Sequence, residues 1–398
     1  MSKLASRLAA ILFGLALSLA ALEIFVRVLH IEKDTFWEPH SLFGWFHISG
    51  KEGWWFSNEF QIHVRINSKG LRNRETSYDK PEGITRILIL GDSLTEGIQV
   101  PLEDTFAFVL ETLLNAEDEQ RFEVINGGVA HYGTDNAVLF YENEGYKYDP
   151  DIVLLAFFTT NDVVNNSRPL GGSSPYFVLD ESGQLRVMDF PLPLSQDEDL
   201  FQRIKSFLSK HSHLYNFVSR TIRSALPARP EVSQGNLPMS DVRLIHQGID
   251  NSFFVYAAAY PHDLDEAWAI TRALILRLKQ DVEANQARFG VVTFSDQFVH
   301  VREERWQEYL EAIPAMKGLR WDLDKPERIM AEFLSEQDIP FMQTIMHFQA
   351  YTKQTDEPLY YRHDGHLNAN GHRLAAQLIY NYLVEYELVQ VGSDAQSK

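Results

Sequence analysis

The 398-residue chain has no cysteine. That excludes a disulfide framework, a thiolate nucleophile, a cysteine-ligated zinc and a lipidated cysteine. It says nothing of compartment, because an oxidising space does not oblige a protein to use cysteine. Positive charge is also short: 36 Lys and Arg stand against 55 Asp and Glu, a formal net charge of −19, and no basic cluster follows the N-terminus. A phosphate backbone finds no footprint on such a chain, so nucleic acid is not an expected partner. There is no internal repeat, no His-Glu-x-x-His helix motif, and a long apolar run at one place only. With 45% hydrophobic residues, the chain still has enough for one large core or two modest ones.

The apolar run is N-terminal. Lys3 and Arg7 precede an uncharged stretch over residues 8–22, after which Glu23 and Arg27 interrupt an otherwise apolar run over residues 24–31. An uncharged core of that length suits a cleaved signal and falls short of the roughly 20 residues that span a bilayer. The apolar pattern continues through Phe25, Val26 and Leu29, however, and Glu23 and Arg27 at i,i+4 are spaced to pair and snorkel at the outer interface. We therefore read residues 1–31 as an uncleaved transmembrane anchor, with cleavage after the small residues Ser18 and Ala20 as the alternative. Basic residues ahead of the run put the N-terminus in the cytoplasm and the chain after about residue 32 outside it, in the periplasm or at the cell surface.

Residues 32–84 are rich in aromatics (Trp37, Trp45, Trp54, Trp55, Phe56) and contain short alternating runs, which predicts a small β-rich extension of hairpins. Its tryptophans either pack it onto the main domain or form a platform for a ligand; packing is the reading adopted. From Arg86 onward strands and helices alternate. Short apolar strands are expected at 86–90, 122–126, 152–158, 289–295 and 339–343. Amphipathic helices are expected at 105–115, 136–146, 265–283, 326–335 and 371–388. Right-handed crossovers make this an α/β sandwich with a five-stranded parallel sheet and its site at the carboxyl ends of the strands. The main domain runs over 85–390, with an insertion at about 165–262 that carries one helix over 200–222 and serves as a lid, a substrate surface or packing. Residues 391–398 read as a disordered tail.

The stretch Arg86-Ile-Leu-Ile-Leu-Gly-Asp-Ser-Leu-Thr-Glu-Gly97 leads an apolar strand into a glycine turn and Ser93, where a short helix can begin and backbone N–H groups can face an anion. It is not the Gly-x-Ser-x-Gly elbow, and alone it also fits an ordinary helix cap. Three further stretches follow in order: Asn126-Gly-Gly-Val-Ala-His-Tyr-Gly-Thr134, Thr159-Thr-Asn-Asp162, and Asp364-Gly-His-Leu-Asn-Ala-Asn-Gly-His372. Together the four resemble the ordered blocks of the SGNH (GDSL-like) hydrolase superfamily, over about residues 85–385 apart from most of the insertion. The chain departs from the family pattern in three places. His131 and Thr159 stand where glycines are usual, and the last block has Asp-x-His where Asp-x-x-His is commoner.

The resemblance implies a flavodoxin-like three-layer α/β/α sandwich and serine catalysis without metal or cofactor. By it Ser93 is the nucleophile, His366 its general base and Asp364 the acceptor that orients the base. The backbone N–H groups of Ser93 and His131 and the Asn161 amide form the oxyanion hole. This set matches the chemistry, since a serine hydroxyl is a poor nucleophile until a base takes its proton, and the oxyanion needs preorganised donors. Alternatively Gly128 or Gly133 shapes the second block and the His131 ring faces substrate. His363, His366 and His372 read as a metal cluster, or Asp92 and Asp162 as a glycosidase pair, lack supporting spacing. His372 is instead expected in the first turn of the last helix, capped from Asn368 or Asn370, Asp135 at a helix start, and Asp162 as an acceptor that positions Asn161. The expected function is ester hydrolysis through an acyl-enzyme on an exported acylated glycan, lipid or small ester. The rivals are an O-acyltransferase acting on envelope or exported polysaccharide, and a non-catalytic envelope module. Oligomeric state is left open.

Overall fold

The computed structural model describes residues 3–116, 121–193, 200–225, 249–296 and 303–390. Helix α1 (Lys3–Val28) leaves its leucines exposed all round and is long and apolar enough to cross a membrane. Two antiparallel hairpins follow, β1–β2 (Trp37–His40, Gly44–His47) and β3–β4 (Glu52–Phe56, Gln61–Arg65). Their tryptophans mostly turn inward: Trp37 stacks near Trp45 and meets Trp55 edge to face at 5.3 Å.

The centre is a parallel sheet of β5 (Thr85–Gly91), β6 (Phe122–Gly128), β7 (Ile152–Phe158), β10 (Arg288–Phe294) and β11 (Phe341–Gln343), in the order β6–β5–β7–β10–β11. Successive residues point to opposite faces, and both faces are buried, as expected of apolar parallel strands. Leu88, Leu90, Val153, Leu155 and Val291 pack against α4 (Thr134–Asn143), α8 (His262–Ala284) and α10 (Lys325–Glu336). Ile87, Ile89, Leu154, Val292 and Phe294 pack against α3 (Phe106–Leu114) and α12 (Ala369–Glu385). The result is a three-layer α/β/α sandwich in the flavodoxin-like strand order. The order in which strands are added reverses between β5 and β7, which places the crevice beyond their carboxyl ends.

The predicted strands and the five long helices fall where the periodicity put them. Five helices and a hairpin went unforeseen or were drawn differently. Residues 200–222 form two helices, α6 (Leu200–His211) and α7 (His213–Ala225), because Ser212 ends one and caps the next: its hydroxyl accepts the Tyr215 N–H at 3.0 Å. Short α5 (Asn161–Asn165), α9 (Glu303–Ala312), α11 (Ile345–Thr355) and the hairpin β8–β9 (Tyr176–Leu179, Leu185–Met188) carry weak or interrupted periodicity. Residues 391–398, expected as a disordered tail, and parts of the 165–262 insertion lie outside the described residues.

Candidate active site

Strand β5 ends at Gly91, and Ser93 is the first residue of α2 (Ser93–Glu96), with Asp92 as its cap. Asp92 Oδ1 accepts the Leu94 N–H at 2.9 Å, while the Ser93 N–H, at the first helical position, has no intrahelical acceptor. Ser93 Oγ lies 2.8 Å from His366 Nε2, and His366 Nδ1 lies 2.6 Å from Asp364 Oδ1. The two-residue spacing succeeds because Gly365 takes φ +89°, a left-handed conformation that turns the flanking side chains toward one another. The Tyr361 N–H closes this loop on the His366 carbonyl at 2.8 Å.

The second and third blocks converge on the same point. Asn126 donates to the Thr95 carbonyl at 2.8 Å and accepts the Gly128 N–H at 2.9 Å, so the block clasps α2. A Cβ on Gly128 would stand 2.4 Å from the Glu96 nitrogen, so close approach is what requires glycine there. Gly133 precedes α4 in an extended conformation, packed against Asn166. His131 has φ +66°, the left-handed region in which glycine is at ease, and its ring is exposed. Asn165 Nδ2 holds the His131 carbonyl at 3.2 Å. The Asn161 amide donates to Asp92 Oδ2 at 3.1 Å, leaving its second N–H for another acceptor. The structure thus links Ser93, His366 and Asp364 by hydrogen bonds at the carboxyl end of the sheet and ties Asn161 to the Asp92 cap of the same helix, while the contacts of His131 run to Asn165.

The extension supplies groups that no sequence pattern marked. Glu59, 305 residues from Asp364, accepts the backbone N–H groups of Arg362, His363 and Asp364 at 2.7, 2.8 and 2.9 Å. Beneath the serine, Glu96 is wholly buried and its carboxylate meets His47 Nε2 at 2.6 Å and Trp37 Nε1 at 3.1 Å. Buried Arg72 donates to the Glu96 carbonyl at 2.9 Å and to the Gly97 and Val100 carbonyls, which end α2. No local signal finds Glu59, His47, Trp37 or Arg72, since each is separated from its partners by 24 residues or more.

No family model matches the chain, nor does any curated protein. Solved structures do. The chain is similar to the acetyl xylan esterase AlAXEase at 12% identity, covering 74% of this chain and 98% of that one, with TM-score 0.40. It is similar to a catalytic mutant of an acetylxylan esterase from Geobacillus stearothermophilus at 15% identity, covering 79% and 100%, with TM-score 0.39. A third likeness is to LAE5, an alpha/beta hydrolase enzyme from the metagenome of Lake Arreo, Spain, at 14% identity, covering 77% and 96%, with TM-score 0.37.

Charge at the site is set by burial and partners together. Burial alone would depress the His366 imidazole, but the hydrogen bond and charge of Asp364, with Asp92 and Glu96 behind, outweigh it and raise the ring above its ordinary value. Asp92 and Asp162 are both buried and pushed upward, mainly by that burial; Asp162 Oδ2 accepts the Phe158 N–H at 3.3 Å and so fixes the turn into Asn161. Asp135 stands in the first turn of α4, and burial raises it to about 7. His372 is removed from the site: it is buried in α12, which Asn368 caps, its Nδ1 accepts the Phe106 N–H, and burial with the Arg72 charge lowers it to about 3. Thr159 donates to buried Glu327 at 3.1 Å, so its hydroxyl braces the sheet end and does not face Ser93.

Proposed function

We propose that the chain is a membrane-anchored serine ester hydrolase of the SGNH type, with its catalytic domain outside the cytoplasm. The observation that carries this is the continuous relay Asp364–His366–Ser93, with links of 2.6 and 2.8 Å. A serine hydroxyl that donates to an imidazole whose other nitrogen is held by a carboxylate is arranged for nucleophilic attack. In the first half-reaction the Ser93 proton passes to His366 Nε2 as Oγ bonds to the acyl carbon. The tetrahedral intermediate collapses, and the leaving alkoxide takes that proton. In the second, water gives its proton to His366 and attacks the acyl-enzyme; Ser93 Oγ then leaves with the proton returned. Asp364 stabilises the imidazolium in both. The oxyanion faces the Ser93 N–H, the backbone at His131 and the free N–H of Asn161, each donor worth about 3 kcal/mol in the transition state. An acylated glycan, an acylated lipid or a small ester on the outer side of the membrane is the substrate class this reading takes.

A fluorophosphonate probe tests it. Intact-mass analysis is expected to show one adduct, mapped to Ser93 and absent from Ser93→Ala and His366→Ala. Lack of labelling in the folded wild-type chain would leave a binding module. Acyl groups moved onto an added polysaccharide, in place of free acid, would assign transfer to a sugar hydroxyl.

A further inference from the structure

Helices α6 and α7 present an exposed apolar surface. Leu200, Phe201 and Phe207 are 74%, 73% and 62% exposed, and Ile204, Val218 and Ile222 are also exposed. On α6, at about 3.6 residues per turn, Leu200, Phe201, Ile204, Phe207 and Leu208 form one stripe, with exposed Arg203 at one border and exposed Lys205 at the other. A long basic side chain at each edge of an apolar stripe is the arrangement that lets charge stay at phosphate level while the apolar face sinks. These cations belong to a chain whose net charge is −19.

The position of the helix pair says what covers it. The carboxylate of Glu23, in α1, accepts the backbone N–H groups of His213 and Leu214, both at 2.9 Å, and the Ser212 hydroxyl at 2.8 Å; it caps α7. Arg27 pairs with Glu23 at 2.6 Å and reaches the His211 carbonyl. The residues leading out of α1 clamp the pair from its other side, through Glu32–Arg220, Asp34–His213 and Glu38–Lys210. With Arg7 at the inner surface, Glu23 and Arg27 lie about 24 and 30 Å further along α1, approaching and reaching the far boundary of a hydrocarbon core about 30 Å thick. The junction of α6 and α7, where the stripe-bearing helix ends, is fixed to the anchor near that boundary.

We propose that α6 and α7 lie in the headgroup–acyl boundary of the same bilayer that α1 spans, binding the lipid surface through the apolar stripe and anionic headgroups through Arg203 and Lys205. This rests on the anchor reading of α1. It makes α1, α6 and α7 one three-helix membrane footing, which holds the catalytic sandwich against the bilayer at a fixed tilt.

Because the chain has no cysteine, single labels are clean. Full-length Leu12→Cys, Phe201→Cys, Phe207→Cys and Gln202→Cys, each spin-labelled and reconstituted in mixed phosphatidylcholine–phosphatidylglycerol vesicles, are compared for relaxation by oxygen and by a polar nickel chelate. Labels at Phe201 and Phe207 are expected to favour oxygen, as at Leu12, while the label at Gln202, on the opposite face of α6, favours nickel. Oxygen preference at Leu12 with nickel preference at Phe201 and Phe207 overturns the proposal alone. Shielding of those two from both agents also overturns it, since protein then covers the stripe. Nickel preference at Leu12 overturns the anchor reading and this proposal with it.

Discussion

His366 has two opposed influences on its charge, and activity should report which prevails. Hydrolysis needs the neutral imidazole, and the folded ring is raised above its ordinary value near 6.5. The acidic limb of kcat/KM for a small aryl ester is therefore expected above about 6.5, with activity rising as pH rises through it. Asp364→Asn removes the raising partner and leaves burial, so the limb should move to lower pH while the plateau falls by about 100-fold or more, though less than in His366→Ala. An unmoved limb would place the acid partner elsewhere. His131, at φ +66°, offers a second test. His131→Gly keeps the backbone N–H and relieves a left-handed conformation, so urea unfolding should show stability unchanged or raised by up to about 1 kcal/mol, with small-ester hydrolysis maintained or raised. A loss confined to a bulky acylated substrate would instead give the ring a role in binding. Ser93, Asp364, His366 and Asn161, which hydrogen bonds draw together at the carboxyl end of the sheet, were legible because each sits in a short block of sequence. Glu59, His47 and Arg72 were not, because their partners are backbone groups and a buried carboxylate, which leave no motif. Glu59 is held below the usual carboxylate range: burial pushes it up, but three backbone N–H groups outweigh that. Glu59→Ala frees those groups, and kcat should fall by roughly 10- to 100-fold with KM little changed, as expected when a base is displaced and binding is not.

At the scale of elements, the site depends on two short pieces of chain whose conformations are imposed from outside. The loop over 361–366 turns on Gly365 at φ +89°. Gly365→Ala is expected to cost about 1–2 kcal/mol in urea unfolding and to lower kcat, because the side chain forces the turn toward a conformation that separates Asp364 from His366. Helix α2 has only four residues, too few to hold itself, and leans on Arg72 for its last carbonyls. Arg72→Met should destabilise by about 3 kcal/mol or more, since it leaves buried acceptors without a donor. Four of the five strands were easy to read for a physical reason: β5, β6, β7 and β10 are buried on both faces, so their apolar runs are continuous. The division of residues 200–222 was hidden because the amphipathic period carries through Ser212, whose capping role depends on where the chain turns and not on what precedes it.

For the molecule as a whole, a C-terminal reporter enzyme is expected to work outside the cytoplasm, and the protein to remain with membranes after a high-salt wash. A salt-released chain beginning near Ala21 would mean that the N-terminus is a cleaved signal. Ion pairs along residues 32–38 tie the segment that follows α1 to α6 and α7. The relay itself spans the chain: Ser93 and His366 are 273 residues apart, and the Glu59 brace reaches across 305. On the proposed mechanism a nascent polypeptide therefore carries Ser93 long before His366. Hydrolysis or transfer at Ser93 then begins only after residue 366 has been made, so the order of synthesis itself acts as a safety catch.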